Sequence, residues 1–324
     1  MEALERNIKR PNFFIVGAAK AGTTALHSIL SLHSQIYMSP VKEPNYFSKD
    51  IYPDNLTDYL KKKSRNNAIE YDKRGDIISK HKLFVKNIDD YLTLFENATN
   101  EHKILGEASV SYLFSRQAAS KIYNFNPLSK VLILLREPID RAFSHYLMDL
   151  KVGNTKNENF LEAVLQDFKS EKELKWDSSH LYVELGLYYQ QIRRFLKLFP
   201  KESVLIIKYD DFKKDSLNTV KCIQEFLGVE YEHINTGRKK NTAKLPKNRF
   251  AKYLLNNSFL KKYFKKTLSA ELANYFKTSL LSDKNMPSVE DYNVDDLIPF
   301  FKSDVINIHN NMNVDLRSWD RYFD

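Results

Sequence analysis

The octet Gly17-Ala18-Ala19-Lys20-Ala21-Gly22-Thr23-Thr24 is the stretch of this chain best suited to chemistry on an anion. It follows the apolar run Phe13 to Val16, which reads as a buried strand, and opens an amphipathic helix reaching Leu30. A strand, a small-residue loop and a helix N-terminus aim unpaired backbone N–H groups and the positive end of a helix dipole at one spot. A nucleotide P-loop places its lysine directly before the Ser or Thr. Here that position is Gly22, and the loop's single lysine, Lys20, stands in its middle. The P-loop lysine serves the β- and γ-phosphates while the neighbouring hydroxyl holds magnesium. The displaced lysine therefore suggests a different anion, one transferred without a metal.

Two further segments carry polar groups with a chemical use. The run Val131 to Leu135 leads directly into Arg136, where a P-loop ATPase would end its second strand in an aspartate for magnesium. An arginine at the carboxyl end of a central strand needs an anion, and its guanidinium gives bidentate contact to phosphate. Ser144 lies on the helix that follows, one turn beyond Arg141, so Arg136 and Ser144 can close on one phosphate. An ion pair from Arg136 to Glu137 or Asp140 accounts for the residue types equally well. In Pro40 to Ser48, two prolines imply a rigid extended loop that presents Lys42 and Glu43. A glutamate beside a lysine can take a proton from a hydroxyl held within hydrogen-bond reach. The plainer reading is a salt bridge within the loop. His33 and His145 are bases by residue type, but their places in or beside helices read as structural.

These groups need a scaffold of alternating strands and helices. Strands are expected at Phe13 to Val16, Lys103 to Gly106, Val131 to Leu135 and Val204 to Lys208, with a short apolar stretch at Ile36 to Met38. Helices are expected near Asp54 to Lys63, Asp89 to Glu96, Ile139 to Leu150, Asn159 to Phe168, Leu185 to Phe199 and Leu217 to Leu227, the last ended by Gly228. The pattern gives an α/β fold: three α/β/α layers around a mainly parallel central sheet, with a P-loop-like first unit. The 324 residues fit one domain, with a core over 10–230 and a mainly helical part over 240–324.

Composition narrows the partners. The net charge of +9 fits an anionic ligand. The lysine clusters at Lys61 to Lys63, Arg238 to Lys240 and Lys261 to Lys266 read as solvated faces, and no nucleic-acid motif accompanies them. A single cysteine, Cys222, rules out an intrachain disulfide and a cysteine-based zinc site. The eight histidines form no H-E-x-x-H pattern, so no metal is expected. The charged amino terminus and the lack of a long apolar run point to a cytoplasmic protein with no transmembrane segment.

Taken in order, the motifs resemble the sulfotransferases that use 3′-phosphoadenosine 5′-phosphosulfate, in particular the carbohydrate and heparan-sulfate type. The octet is similar to their 5′-phosphosulfate loop. Arg136-Glu137-Pro138 with Arg141, Ala142, Ser144 and Tyr146 is similar to their 3′-phosphate motif. Lys42-Glu43-Pro44-Asn45-Tyr46-Phe47 resembles their K-E-x-x-[FY]-F segment, and Glu107 to Tyr112 their E-[KA]-[ST]-P-x-Y segment. Leu185 to Phe199 with the strand at Val204, Phe226-Leu227-Gly228, and Asp315-Leu316 with Trp319 extend the likeness over about residues 10 to 320.

The resemblance implies a role for each matching residue. Lys20 would contact the sulfate and the oxygen bridging it to the 5′-phosphate. Ala21, Gly22, Thr23 and Thr24 form the loop that would cradle that phosphate. Arg136 and Ser144 would hold the 3′-phosphate. Glu43 would be the general base and Lys42 would support the sulfuryl group. Arg238 and Lys240 fall where the family has a loop covering the cofactor. The acceptor implied is a hydroxyl of a saccharide or glycolipid. Ala108 and Val110 depart from the lysine and proline of several heparan-type members, which bears on the acceptor more than on the reaction. The rival functions are a nucleotide kinase and a noncatalytic nucleotide-binding module. A kinase would carry Gly-Lys-Thr and a strand-end aspartate, and this sequence has neither.

Overall fold

The computed structural model describes residues 9–51, 85, 87–170, 180–235, 245–246, 279–282 and 287–323. The expected helix at Asp54 to Lys63, the three lysine clusters, and Arg238 and Lys240 lie outside the described residues.

Five parallel strands form the central sheet: β1 (Phe13–Gly17), β2 (Ile36–Met38), β3 (Ile104–Ala108), β4 (Lys130–Leu135) and β5 (Val204–Lys208), in the order β2-β3-β1-β4-β5. Strands β1 and β3 are fully buried and β4 is buried from Val131 onward, because helices pack on both faces of a parallel sheet. Unbroken apolar runs make β1 and β4 legible from sequence, whereas β3 carries Gly106 and Glu107 and runs two residues past its expected end at Gly106. Strand β5 is an edge and only half buried.

Helix α1 (Thr23–Leu30) follows β1, and α2 (Ile88–Thr93) precedes β3. Short α3 (Ser111–Phe114) and α4 (Ala118–Phe125) lead from β3 to β4. The long α5 (Pro138–Val152) starts straight after β4, with Pro138 in its first turn and Glu137 as its cap. Helices α6 (Phe160–Phe168) and α7 (Tyr188–Leu196) lead to β5. The sequence pattern carries a helix from Leu185, but Glu184–Gly186 is a separate 3-10 turn. A Cβ on Gly186 would lie 2.9 Å from the Phe301 ring, so glycine lets Phe301 pack closely on this turn. Helices α8 (Tyr209–Lys214) and α9 (Ser216–Leu227) follow, the latter ended by Gly228 at φ 70°.

Beyond them, a two-residue antiparallel pair, β6 (Leu245–Pro246) with β7 (Leu281–Ser282), joins the expected helical content, which includes α10 (Ile298–Asn311). Two residues are too few to show an alternation in sequence.

Strand order reverses direction beside β1: the chain moves from β1 to the β3 side and then returns to β4. In open α/β sheets this reversal opens a crevice at the strands' carboxyl ends. The carboxyl ends of β1 and β4 carry Gly17 and Arg136. The two strands pair with Gly17 opposite Ile133, and Ala18 N–H donates to the Leu134 carbonyl at 2.6 Å.

Candidate active site at the carboxyl ends of the strands

The anion loop turns back on itself through two left-handed residues, Lys20 (φ 69°) and Gly22 (φ 87°). Gly22 is required twice over. Its φ favours glycine, and a Cβ there would sit 2.9 Å from two carbons of the Tyr209 ring. Gly22 is also the N-cap of α1 and has no side chain to bond the first N–H groups of the helix. Lys20 Nζ reaches Met148 Sδ on α5 at 3.5 Å, which brings the loop lysine against the helix that carries Ser144.

Arg136 decides between the two readings left open by its residue type. Its guanidinium donates from Nη1 to the Lys20 carbonyl at 3.3 Å and lies 5.0 Å from the centre of the Tyr209 ring. Among the described residues it forms no ion pair within 4.0 Å. Glu137 is committed elsewhere: its carboxylate caps α5 by accepting from Ile139 N–H at 3.2 Å and Asp140 N–H at 2.6 Å. Glu137 also accepts from the Tyr322 hydroxyl and pairs with Arg321 at 3.6 Å. Asp140 is close enough for Arg136 to favour its charged form, but burial outweighs this and raises its pKa, and its Oδ1 has no partner. Most of Arg136's donors are thus left for an anion. Ser144 is half buried on α5, beside buried His145.

Loop 39–48 sits one strand away from the anion loop. Ser39 N–H donates to the Gly106 carbonyl at 2.7 Å and Glu43 N–H to the Ala108 carbonyl at 2.9 Å, which fixes the loop on the carboxyl end of β3. Lys42 Nζ and Glu43 Oε1 form the loop salt bridge, at 2.6 Å, with side chains 5% and 16% exposed. Contact with one lysine leaves the carboxylate its second oxygen, so the pair and a base role coexist. Glu43 and Asn45 are both left-handed, at φ 63° and 55°. Asn45 steadies this turn by donating to the Glu43 carbonyl at 2.6 Å and accepting from the Ser111 hydroxyl at 2.6 Å.

Neither histidine has the makings of a base. Burial pushes the pKa of His145 down to about 3, so the ring binds a proton too weakly to serve as a base near neutral pH. His33 is locked between the Glu230 carbonyl at 2.9 Å and Gln35 N–H at 3.0 Å.

One residue is not singled out by the sequence, and another enters there only as the start of a family-like segment, without a role. Tyr209, just past β5, packs against both Gly22 and Arg136 and so links the two anion-facing groups. The position after the β5 apolar run was the available signal. The second is Glu107, completely buried, which accepts from Tyr91 (2.9 Å), Tyr112 (2.6 Å) and Ser109 (2.7 Å). Burial pushes its carboxyl up to about 7, against the pull of these three hydroxyls and of Lys42.

A folded pKa raised above the unfolded one contributes stability that is present at acid pH and lost as pH rises through the folded value. The Glu107 contribution is therefore full below about pH 4.5 and gone above about pH 7, a span of about 3 kcal/mol at most. Thermal unfolding of wild type and Glu107→Gln across this range should show the variant gaining on wild type as pH rises. A constant difference would mean that Glu107 does not titrate in this window.

Among the described residues, no group of three or more His, Cys, Asp or Glu is arranged to hold a metal, and no helix is long and apolar enough to cross a membrane.

A parallel α/β sheet with a lysine-bearing glycine loop at its switch point and an arginine at the end of β4 defines a P-loop-like α/β fold. The family model for the sulfotransferase domain matches residues 10–284, and the chain belongs to that family. It is 24% identical over 268 residues to carbohydrate sulfotransferase 15 of Rattus norvegicus, which covers 68% of this chain and 44% of the relative. It is 27% identical over 224 residues to bifunctional heparan sulfate N-deacetylase/N-sulfotransferase 3 of Homo sapiens, covering 68% of this chain and 22% of the relative. The chain thus spans less than half the length of these two curated relatives. Among solved structures, a sulfotransferase from Alicyclobacillus acidocaldarius superposes with a TM-score of 0.68 at 26% identity, covering 97% of this chain and 100% of that one.

Proposed function

We propose that the protein transfers the sulfuryl group of 3′-phosphoadenosine 5′-phosphosulfate to a hydroxyl of a saccharide or glycolipid. The observation that carries this reading is Arg136: it stands at the switch point, tied to the Lys20 carbonyl, and among the described residues no carboxylate lies within ion-pair distance of it. A single guanidinium bound to the backbone of the anion loop suits a nucleotide with a second phosphate beside the first. The residues present fit such a donor: the start of α1 at Gly22, the Gly22 turn packed on Tyr209, Lys20, and Arg136 bonded to the loop backbone. The curated relatives bear the names of carbohydrate and heparan sulfate sulfotransferases, which supports a saccharide acceptor.

The bound donor supplies an activated sulfuryl group on a phosphate leaving group. The chain's own residues do the rest. Backbone N–H groups from Gly22 to Thr24 and the α1 dipole would hold the 5′-phosphate, while the Ala21 N–H is taken by the Ala18 carbonyl at 3.3 Å and so shapes the loop instead. Lys20 neutralises the negative charge that grows on the bridging oxygen as its bond to sulfur breaks. Glu43 would take the proton of the acceptor hydroxyl, and Lys42 orients Glu43 through their 2.6 Å contact. Arg136 and Ser144 fix the far phosphate and so set the line of attack.

Calorimetry with adenosine 3′,5′-bisphosphate tests the reading. A charge-assisted contact to the 3′-phosphate should make this nucleotide bind about ten- to a hundredfold more tightly than AMP. Arg136→Ala should erase that preference while leaving AMP binding nearly unchanged. Equal affinity of the wild type for the two nucleotides would sink the proposal.

A further inference from the structure

The buried carboxylate of Glu107 lies under the loop that carries Lys42 and Glu43, and the reaction proposed above makes no use of it. Its hydrogen bonds run upward through two hydroxyls. Ser109 Oγ donates to Glu107 Oε2 at 2.7 Å and accepts from the Asn45 backbone N–H at 3.1 Å. Tyr112 donates to Glu107 Oε1 at 2.6 Å and accepts from the Phe47 backbone N–H at 3.4 Å. Tyr91 supplies a third donor at 2.9 Å from α2. A hydroxyl whose proton is committed to a carboxylate must present its lone pairs in the remaining directions, and here both meet N–H groups of the catalytic loop.

We propose that Glu107 is a positioning residue: it polarises and orients the Ser109 and Tyr112 hydroxyls, which clamp the loop at Asn45 and Phe47 and hold Lys42 and Glu43 at the carboxyl end of β3. Three observations make the clamp more than incidental packing. Glu43 and Asn45 are held in left-handed backbone, a conformation that non-glycine residues leave unless their surroundings retain them. The clamp grips Asn45 itself and the residue two beyond it. Serines complete the cage, since Asn45 accepts from Ser111, whose hydroxyl meets Ser48 at 2.8 Å. A completely buried carboxyl is costly in a fold that could have placed an apolar residue there, and its charge acts on Lys42 from below while Glu43 pairs with that lysine directly. The Lys42 ammonium is thus drawn toward two carboxylates, one exposed enough to meet an acceptor and one sealed beneath the loop.

The inference rests on the reading of Glu43 as the base, but its first test does not. Amide exchange measured by NMR should rise about tenfold or more at Asn45 in Ser109→Ala and at Phe47 in Tyr112→Phe, each leaving the other amide nearly unchanged. Glu107→Ala should release both. Should that variant fail to fold, the two single-hydroxyl variants decide the question by themselves. Unchanged exchange at Asn45 and Phe47 would overturn the clamp. The second readout is kinetic: Ser109→Ala and Tyr112→Phe should lower kcat about tenfold with KM for the donor and affinity for adenosine 3′,5′-bisphosphate unchanged. Released amides with an unaltered kcat would overturn the positioning role. A wild type that shows protected amides but no sulfuryl transfer would instead defeat the proposed function and leave the clamp standing.

Discussion

Lys20→Ala is expected to lower sulfuryl transfer by about a hundred- to a thousandfold, the loss typical when a preorganised group facing developing charge is removed. The lysine's position explains the size of the effect. It stands in mid-loop at φ 69°, with its own carbonyl accepting from Arg136 and its ammonium against Met148 of α5. Loop backbone and α1 would still hold a phosphate in the variant, so affinity for adenosine 3′,5′-bisphosphate should fall far less than kcat. Single-turnover transfer measured beside calorimetry separates the two. Equal losses in binding and in rate would assign Lys20 to uniform binding and not to the leaving oxygen. Lys20→Arg should recover little, because a planar guanidinium does not replace a compact ammonium at a left-handed turn.

Glu43→Gln is expected to lower kcat by about a hundredfold or more, as loss of a general base does, with donor affinity within about twofold of wild type. Glutamine keeps the length of the side chain and can still accept from Lys42, so the left-handed turn and its bonds to Ala108 and Asn45 should survive. What disappears is the capacity to take a proton. Removing Lys42 should be milder in rate but should loosen the loop, because Lys42 is drawn both to Glu43, at 2.6 Å, and to buried Glu107. Transfer retained in Glu43→Gln would rule Glu43 out as the base. Neither His145, neutral and buried, nor His33, bonded on both nitrogens, stands ready in its place. Together the two variants separate an enzyme from a nucleotide-binding module, which would lose nothing on losing Glu43.

Much of the fold is local and therefore legible. Phe13 to Val16 and Val131 to Leu135 are unbroken apolar runs because a central parallel strand is covered on both sides, and both are strands within a residue of their expected bounds. Gly228 ends α9 as a left-handed cap for reasons contained in the residue itself. The start of α7 was not legible, because the apolar pattern from Leu185 runs without a break through the 3-10 turn at Glu184–Gly186 into the helix at Tyr188.

The site divides along the same line. By itself the sequence determined that an anion loop with a displaced lysine begins the chain, that an arginine replaces the strand-end aspartate, and that a lysine–glutamate pair sits in a proline-framed loop. Residue type and spacing encode all three. The tertiary structure alone decided what each group faces. Arg136 finds the Lys20 carbonyl, 116 residues away, while Glu137 turns to cap α5 and meet Tyr322. Glu107, read from sequence only as the first residue of a family-like segment with no role attached, becomes the buried acceptor for the hydroxyls of Tyr91, Ser109 and Tyr112. Burial and hydrogen-bond partnership are properties of what the rest of the chain brings alongside, and so no local pattern could have disclosed them.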